Sequence, residues 1–351
     1  MKIVFLHREI SGYFLACARK LSELHNAEVH IFRYPVNKEA PFNFPEIKNL
    51  YYHERNNYDF DKLQKKLSEI TPSLIYIAGW NDKDYLKICR EWKEKVPVVM
   101  ALDNQWKGSL KQKAATAILP YKLQKSVSHI WCAGLPQVEY AKRLGYDEKH
   151  ILLGMYSADV DNFRNQYFQW KELKEKIFPK VILFVGRYVK DKGIEELWNA
   201  FAKIQNKSPN SWELWCAGTG ELGKKFPINK KIKNLGFVQP ENLFQIVKEA
   251  GVFILPSRFE PWGVALHEFA AAGFPLICSS QVGAATQFLK EGENGFLFEA
   301  NNEQSLSDGL LKMMNSSDKQ LQGMSEKSVE ISQSNTPEKW ANTFVSVLHK
   351  K

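Results

Sequence analysis

An α/β protein built from two parallel-sheet domains is predicted by three observations. Short apolar runs rich in Val, Ile and Phe alternate with segments of helical periodicity along the chain, and alternating strand and helix builds parallel sheets. The alternation restarts after a polar stretch, "SADVDNFRNQYFQWKELKEKIFPK". Finally, a chain of 351 residues with 44% hydrophobic content suits two domains at roughly 100–200 residues each.

Taken in order, "KIVFLH", "EVHIF", "SLIYIAG", "VPVVMAL" and "HIWCAG" are the expected strands of the first domain, and "VILFVG", "WELWCAG", "GVFILP" and "PLICSS" those of the second. The boundaries are set at residues 1–165 and 166–336. Asp82 and Asp84 in "NDKD" read as helix-capping acids rather than a metal-binding pair. The closing segment opens on Thr336 and Pro337, a helix start. It spaces Trp340, Phe344 and Leu348 on one face, so it must pack on something.

Several classes are excluded. The opening "MKIVFLHREI" has only four apolar residues between Lys2 and His7, and no apolar run approaches the ~18 residues of a membrane span. A cytoplasmic protein is expected. The five cysteines are scattered without a C-x-x-C pair, which argues for buried free thiols rather than disulfides or zinc. Formal charge is +9, concentrated in the first half, where residues 1–160 hold 24 basic and 18 acidic side chains. From Asn104 to Gln137 there is no acid, while Lys107, Lys111, Lys113, Lys122 and Lys125 alternate with Trp106, Leu110, Ile118, Leu119 and Tyr121. That stretch reads either as a solvated face or as a surface for anionic lipid or a phosphorylated substrate. Nothing calls for a nucleic-acid partner.

Two segments carry chemistry. In "VILFVGRYVKDKGIEELWNAFAKI" a buried strand runs into Gly186, a short loop holds Arg187 and Lys192, and an amphipathic helix follows. Ligands of open parallel sheets bind at the carboxyl ends of strands. Two cations there suit a phosphate, each charge-assisted hydrogen bond contributing about 1.5–3 kcal/mol. In "SRFEPWGVALHEFAAAGFP" a helix is expected to begin near Gly263 or Val264 and to end at Gly273 and Pro275. Its first amides, on Gly263, Val264, Ala265 and Leu266, favour an anion. The helix reads as apolar all round and therefore buried, so Glu268 needs a partner. Glu260 lies eight residues earlier, roughly 12 Å away if all is helical, farther than the about 5–9.5 Å between paired glycosidase carboxylates. The two acids thus suit the two ends of an elongated nucleotide sugar, Glu260 on the sugar and Glu268 on the ribose. The competing reading pairs Glu268 with Arg258 and makes Glu260 a helix cap.

"GRYVKDKG", "SRFEPWGVALHEFAAAGFP" and "VGAATQFLKEGENGFLF", in this order and spacing, resemble the retaining glycosyltransferases of family 4. The resemblance implies a GT-B fold: two Rossmann-like domains facing across a cleft, with residues 337–351 crossing back to the first. It also implies the roles. Arg187 and Lys192 would bind the diphosphate, Glu260 the sugar and Glu268 the ribose; Gly218 to Gly220, with Gly236, Phe237 and Val238, would hold the base. Gly186 and Gly12 would lie against the donor. "REISGYF" has Gly12 alone where relatives often pair glycines, and Asp103 in "ALDNQW" stands where many relatives show a histidine and would face the sugar. Gln287 replaces an acid common in relatives.

No second carboxylate emerges from the spacing as nucleophile. The resemblance implies a front-face, metal-independent transfer without cofactor, in which the leaving phosphate oxygen takes the acceptor proton. The catalytic set is then Glu260, Arg187, Lys192 and Asp103. The expected role is transfer from a UDP-sugar to a glycan or lipid-linked acceptor in cell-surface polysaccharide or lipopolysaccharide synthesis, with peripheral membrane contact through the five lysines. An epimerase or hydrolase on the same fold, and a non-catalytic sugar-nucleotide binder, are the alternatives. His7, at the end of the first strand, could line the cleft and His267 sits beside Glu268, but both read first as ordinary packing or surface histidines.

Overall fold

The structure is a computed structural model that describes residues 1–35 and 45–349. It divides into two compact units, Met1–Asp159 with Asn335–Lys351, and Val160–Ser334.

Unit 1 runs β1 (Lys2–Leu6), α1 (Gly12–His25), β2 (Glu28–Arg33), β3 (Leu50–Glu54), α2 (Phe60–Ile70), β4 (Leu74–Ile77), α3 (Lys83–Trp92), β5 (Val98–Leu102), α4 (Leu110–Gln124), β6 (His129–Cys132), α5 (Val138–Arg143) and β7 (Ile151–Leu152). Its sheet has the order β3-β2-β1-β4-β5-β6-β7, with every pairing parallel. The chain moves outward in one direction to β3, then returns to the other side of β1, so a switch point lies between β1 and β4. Asp82 caps α3, accepting from the amides of Asp84 and Tyr85 at 2.9 and 3.0 Å.

Unit 2 runs α6 (Val160–Lys176), β8 (Val181–Val185), α7 (Ile194–Lys207), β9 (Glu213–Ala217), β10 (Ile232–Gly236), α8 (Pro240–Glu249), β11 (Val252–Leu255), α9 (Val264–Ala271), β12 (Leu276–Ser279), α10 (Ala285–Phe288), β13 (Gly295–Phe298), α11 (Glu303–Met314) and α12 (Asp318–Ser332). Its sheet, again parallel, has the order β10-β9-β8-β11-β12-β13, with its switch point between β8 and β11.

The division falls at Asp159/Val160 and Ser334/Asn335, where the sequence reading sets it at 165/166 and 336/337. The polar stretch begins a single helix, α6, and that helix is committed to unit 2 over its length. Tyr167 is buried so tightly against Gly273 that a Cβ there would lie 2.1 Å from its ring. Lys174 donates to the carbonyls of Val247 and Ala250 at 2.7 and 2.8 Å, closing the end of α8 over the Phe274 ring. Burial pushes this lysine down to about 7.

The closing segment forms α13 (Pro337–Val345), capped by Thr336, and packs into unit 1. Phe344 stacks on Trp131 at 5.0 Å and lies 5.2 Å from Phe5, while the Trp340 indole donates to the Met155 carbonyl at 2.7 Å. All five cysteines are free and buried. Among the described residues no helix is long and apolar enough to cross a membrane.

Candidate active site

Unit 2 assembles its chemistry at the carboxyl edge of β8 and β11, the switch point where open α/β sheets bind ligands. From β8 the chain passes Gly186 and Arg187 to a short helical turn at Lys190–Lys192 and then Gly193, which starts α7 with a φ of 65°. A Cβ on Gly193 would stand 2.1 Å from the Pro256 carbonyl oxygen; only glycine lets this loop close on the end of β11. Two further ties join the loops: the Arg258 amide donates to the Asp191 carbonyl at 2.8 Å, and the Arg258 guanidinium pairs with Glu196.

Lys192 and Glu260 are brought together as an ion pair, each side chain about one-fifth exposed. Ser257 donates its hydroxyl to the same carboxylate at 3.3 Å. The Glu260 backbone is fixed too, its amide donating to the Gln281 carbonyl and its carbonyl accepting from Gly283, both at 3.1 Å. The turn at residues 281–283 thus holds the backbone of the glutamate. Beyond it, Gly263 takes a φ of 95° and opens α9, with no side-chain cap. The first-turn amides of Val264 and Ala265 are therefore available to an anion.

A second group lies along β8, β9 and β10. The Gly218 amide donates to the Gly236 carbonyl at 2.7 Å, and a Cβ on Gly218 would sit 1.9 Å from the Gly186 carbonyl oxygen. Buried Tyr188, which the sequence reading missed, organises this corner: its hydroxyl donates to the Cys216 carbonyl at 2.7 Å and meets Asn234 Oδ1 at 3.1 Å. Its only signal in the sequence was its place inside "GRYVKDKG". Gly220 packs directly on the Tyr188 backbone, and Phe237 presents a ring that is 50% exposed. Arg187 is exposed and Val238 half-buried at this edge, whereas Leu266, expected among the anion-facing amides, is buried in the core and its amide donates to the Gly263 carbonyl at 3.0 Å.

Two expectations are corrected. Glu268 is half-buried, not enclosed, because α9 turns Val264, Ala265 and Glu268 toward the carboxyl edge while Leu266, Phe269 and Ala270 fill the core. Arg258 pairs with Glu196 rather than Glu268, and Gly263 rather than Glu260 occupies the cap position. His267 is a packing residue as expected. It stacks on Phe288 at 3.8 Å, its Nε2 bonds the Ser332 carbonyl at 2.9 Å, and burial pushes it down to about 4. Gln287 donates to the Ser334 hydroxyl at 3.2 Å.

Unit 1 has its own cavity, of about 390 Å³, at the carboxyl ends of β1, β4 and β5. Asp103, Tyr156, Tyr76, Tyr13, His7 and Arg8 line it. Burial raises the Asp103 carboxyl above its ordinary range, opposed by backbone amides and by the hydroxyl of Tyr156. Burial also holds the phenols of Tyr156 and Tyr76 well above theirs. His7 lines this cavity, so the alternative reading of it holds over packing or surface use; desolvation lowers it to about 4, so it is a neutral imidazole. Gly12 begins α1 behind its cap Ser11, at the same edge as Tyr13. Unit 1 also holds Lys107, Lys111, Lys113, Lys122 and Lys125, all exposed.

The profile of the family described as "Glycosyl transferases group 1" matches residues 167–330. An uncharacterized glycosyltransferase of Methanocaldococcus jannaschii is 34% identical over 142 residues, 38% of this chain and 36% of the relative. A D-inositol 3-phosphate glycosyltransferase of Corynebacterium efficiens is 27% identical over 172 residues, 46% of this chain and 40% of the relative. The chain thus spans between about a third and half the length of the curated relatives it matches. Among solved structures, Anabaena HepE in complex with UDP and glucose superposes with a TM-score of 0.73 at 15% identity, with all of both chains covered. A trehalose-6-phosphate structure from Escherichia coli bound with UDP-2-fluoro glucose gives 0.74 at 12% identity, covering 100% of this chain and 99% of that one. Unit 2 is therefore a domain matched by the glycosyl transferases group 1 family, carried in a chain whose two parallel-sheet units have the GT-B fold.

Proposed function

We propose that the chain is a retaining, metal-independent glycosyltransferase of family 4 that moves a sugar from a nucleotide-diphosphate sugar, with UDP as the nucleotide, to a glycan or lipid-linked acceptor in cell-surface polysaccharide synthesis. The observation that carries the reading is the Lys192–Glu260 pair beside the uncapped start of α9 at the unit 2 switch point. The UDP-bound structures that share the fold support the choice of nucleotide.

In this reading the diphosphate takes Arg187, Lys192 and the α9 amides. Lys192 cannot serve a phosphate and Glu260 equally, so donor binding loosens the ion pair and turns the Glu260 carboxylate toward sugar hydroxyls. Glu268 holds the ribose diol, and the base lies along Gly218, Gly220 and Phe237. As the glycosidic bond to the leaving phosphate breaks, the cations and amides stabilise the oxygen that departs. That oxygen accepts the acceptor hydroxyl's proton on the same face, and configuration is retained. The unit 1 cavity around Asp103 takes the acceptor.

Thermal unfolding with UDP, GDP, ADP and CDP tests the donor class, since a nucleotide at 100 times its Kd adds about 2.7 kcal/mol. UDP is expected to shift the midpoint most. Proton NMR of the product is expected to show the donor's anomeric configuration, with the rate unchanged by EDTA. Donor consumption that is independent of acceptor, or an inverted product, would overturn the reading.

A further inference from the structure

Helix α4 is unusual in unit 1 because Leu123 alone among its residues is buried. One face, through Leu119 and Leu123, packs on the unit 1 core. The opposite face is formed by positions three and four apart: Leu110, Ala114, Ala117, Ile118 and Tyr121, all exposed. Leu110 is 85%, Ile118 60% and Tyr121 69% exposed. Lys113 borders this stripe on one side, and Lys111, Lys122 and Lys125 border it on the other. The Lys125 ammonium lies 3.8 Å over the Tyr121 ring, and exposed Arg90 of α3 acts on the Tyr121 hydroxyl through space. No acid stands anywhere between Asn104 and Gln137. In sequence the apolar and basic residues look merely interleaved; the helix sorts them, placing an outward apolar stripe inside a cationic border.

The geometry points to an anionic lipid bilayer as the occupant of this face. We propose that α4 lies in the membrane interface, with Leu110, Ile118 and Tyr121 inserted at the headgroup level and Lys111, Lys113, Lys122 and Lys125 set against lipid phosphates. An apolar stripe with flanking lysines is the pattern of helices that lie in a bilayer surface. Charge complementarity chooses a negatively charged leaflet, because each lysine near such a surface strengthens binding about fivefold, about 1 kcal/mol. The attraction falls within a Debye length, about 10 Å at 0.1 M salt. The proposal does not rest on the transfer reading, since neither donor nor acceptor takes part.

The test is sedimentation of the full chain with vesicles of phosphatidylglycerol and phosphatidylcholine in equal parts, and with phosphatidylcholine alone. The wild type is expected to pellet with the anionic vesicles at low salt, to release at high salt, and to stay free of the neutral ones. Changing Lys111, Lys113, Lys122 and Lys125 together to Gln should lower partitioning more than a hundredfold. Ile118→Ser with Tyr121→Ser should lower it at least tenfold while keeping the salt dependence. Lys142→Gln with Lys149→Gln, exposed elsewhere on unit 1, should leave it unchanged. All of these sites are exposed, and unfolding midpoints equal to wild type show that each variant folds. A wild type that remains in the supernatant with anionic vesicles overturns the proposal and leaves an acidic macromolecule as the partner. Equal loss in the Lys142/Lys149 control, or wild-type binding by the Ile118/Tyr121 variant, overturns it as well.

Discussion

The carboxyl edges of the two sheets share a topology and differ in chemistry. Each sheet reverses direction beside its first strand, β1 in unit 1 and β8 in unit 2, and each opens a site at that reversal. In unit 2 the edge carries Arg187, Lys192, Glu260 and the amides of α9, with glycines drawn so close to neighbouring carbonyls that backbone can approach a ligand. In unit 1 the edge carries a neutral imidazole, three phenols, the Arg8 guanidinium, the Glu9 carboxylate and the Asp103 carboxyl, whose proton affinity is raised by burial. The first arrangement suits a dianionic diphosphate and the second, rich in phenols, a polyhydroxylated group. Topology thus fixes where a site can form, and the loop residues decide what it holds.

The largest effect that would sharpen this contrast is expected at Glu260. Glu260→Ala should lower the transfer rate by at least about a thousandfold while UDP affinity stays within about threefold, because Lys192 is freed for phosphate. Arg187→Ala and Lys192→Ala come next, each lowering kcat by about 10²–10³, the scale seen when a donor to developing negative charge is removed. A near wild-type rate in either would place the diphosphate elsewhere. Glu268→Ala should weaken UDP binding about tenfold or more through lost hydrogen bonds, read by calorimetry with nucleotide alone. If Glu260→Ala and Glu268→Ala exchange these phenotypes, the assignment of sugar and ribose ends is reversed.

A smaller effect compares the units by acid. His267 in unit 2 and His7 in unit 1 both sit near 4 when folded against about 6.5 unfolded. Between those values the unfolded chain binds more protons. The stability present above pH 6.5 is therefore lost as pH falls toward 4, by on the order of 3 kcal/mol for fully buried His267 and by less for half-buried His7. Urea unfolding at pH 7 and pH 4.5 should show this loss, and His267→Phe should remove part of it from unit 2 alone. The smallest effect is expected at Gln287→Glu, which changes one exposed bond to Ser334 and should alter stability by less than about 0.5 kcal/mol.

Much of this was legible in the chain. The strands read from the sequence are central ones, such as β1, β4, β8 and β11, whose residues are buried on both faces and so form continuous apolar runs. Strands β3, β7, β10 and β13 escaped notice, and all four lie at sheet edges: "LYYHE" and "IKNLG" carry exposed and polar positions, and β7 is only two residues long. The Lys192–Glu260 pair was legible as two residues but not as a contact, since 68 positions separate them and only the β8–β11 pairing closes that distance. The cavity around Asp103 and Tyr156 was hidden for the same reason: its residues come from the ends of β1, β4 and β5 and from the loop after β7. Glu268 was placed correctly on a helix but given the wrong degree of burial, because composition alone does not say which side of α9 faces the sheet edge.

The path of α13 has a consequence for the order in which the protein can be made. Trp340 and Phe344 sit among Phe5, Phe14 and Trp131 in the interior of unit 1, although nearly two hundred residues separate them from the rest of that unit. On a ribosome, β1 to β7 emerge first but must wait, with that aromatic interior open, until residue 344 has left the exit tunnel. Unit 2 is contiguous from Val160 to Ser334 and has all its own residues available earlier. The unit begun first is the one finished last.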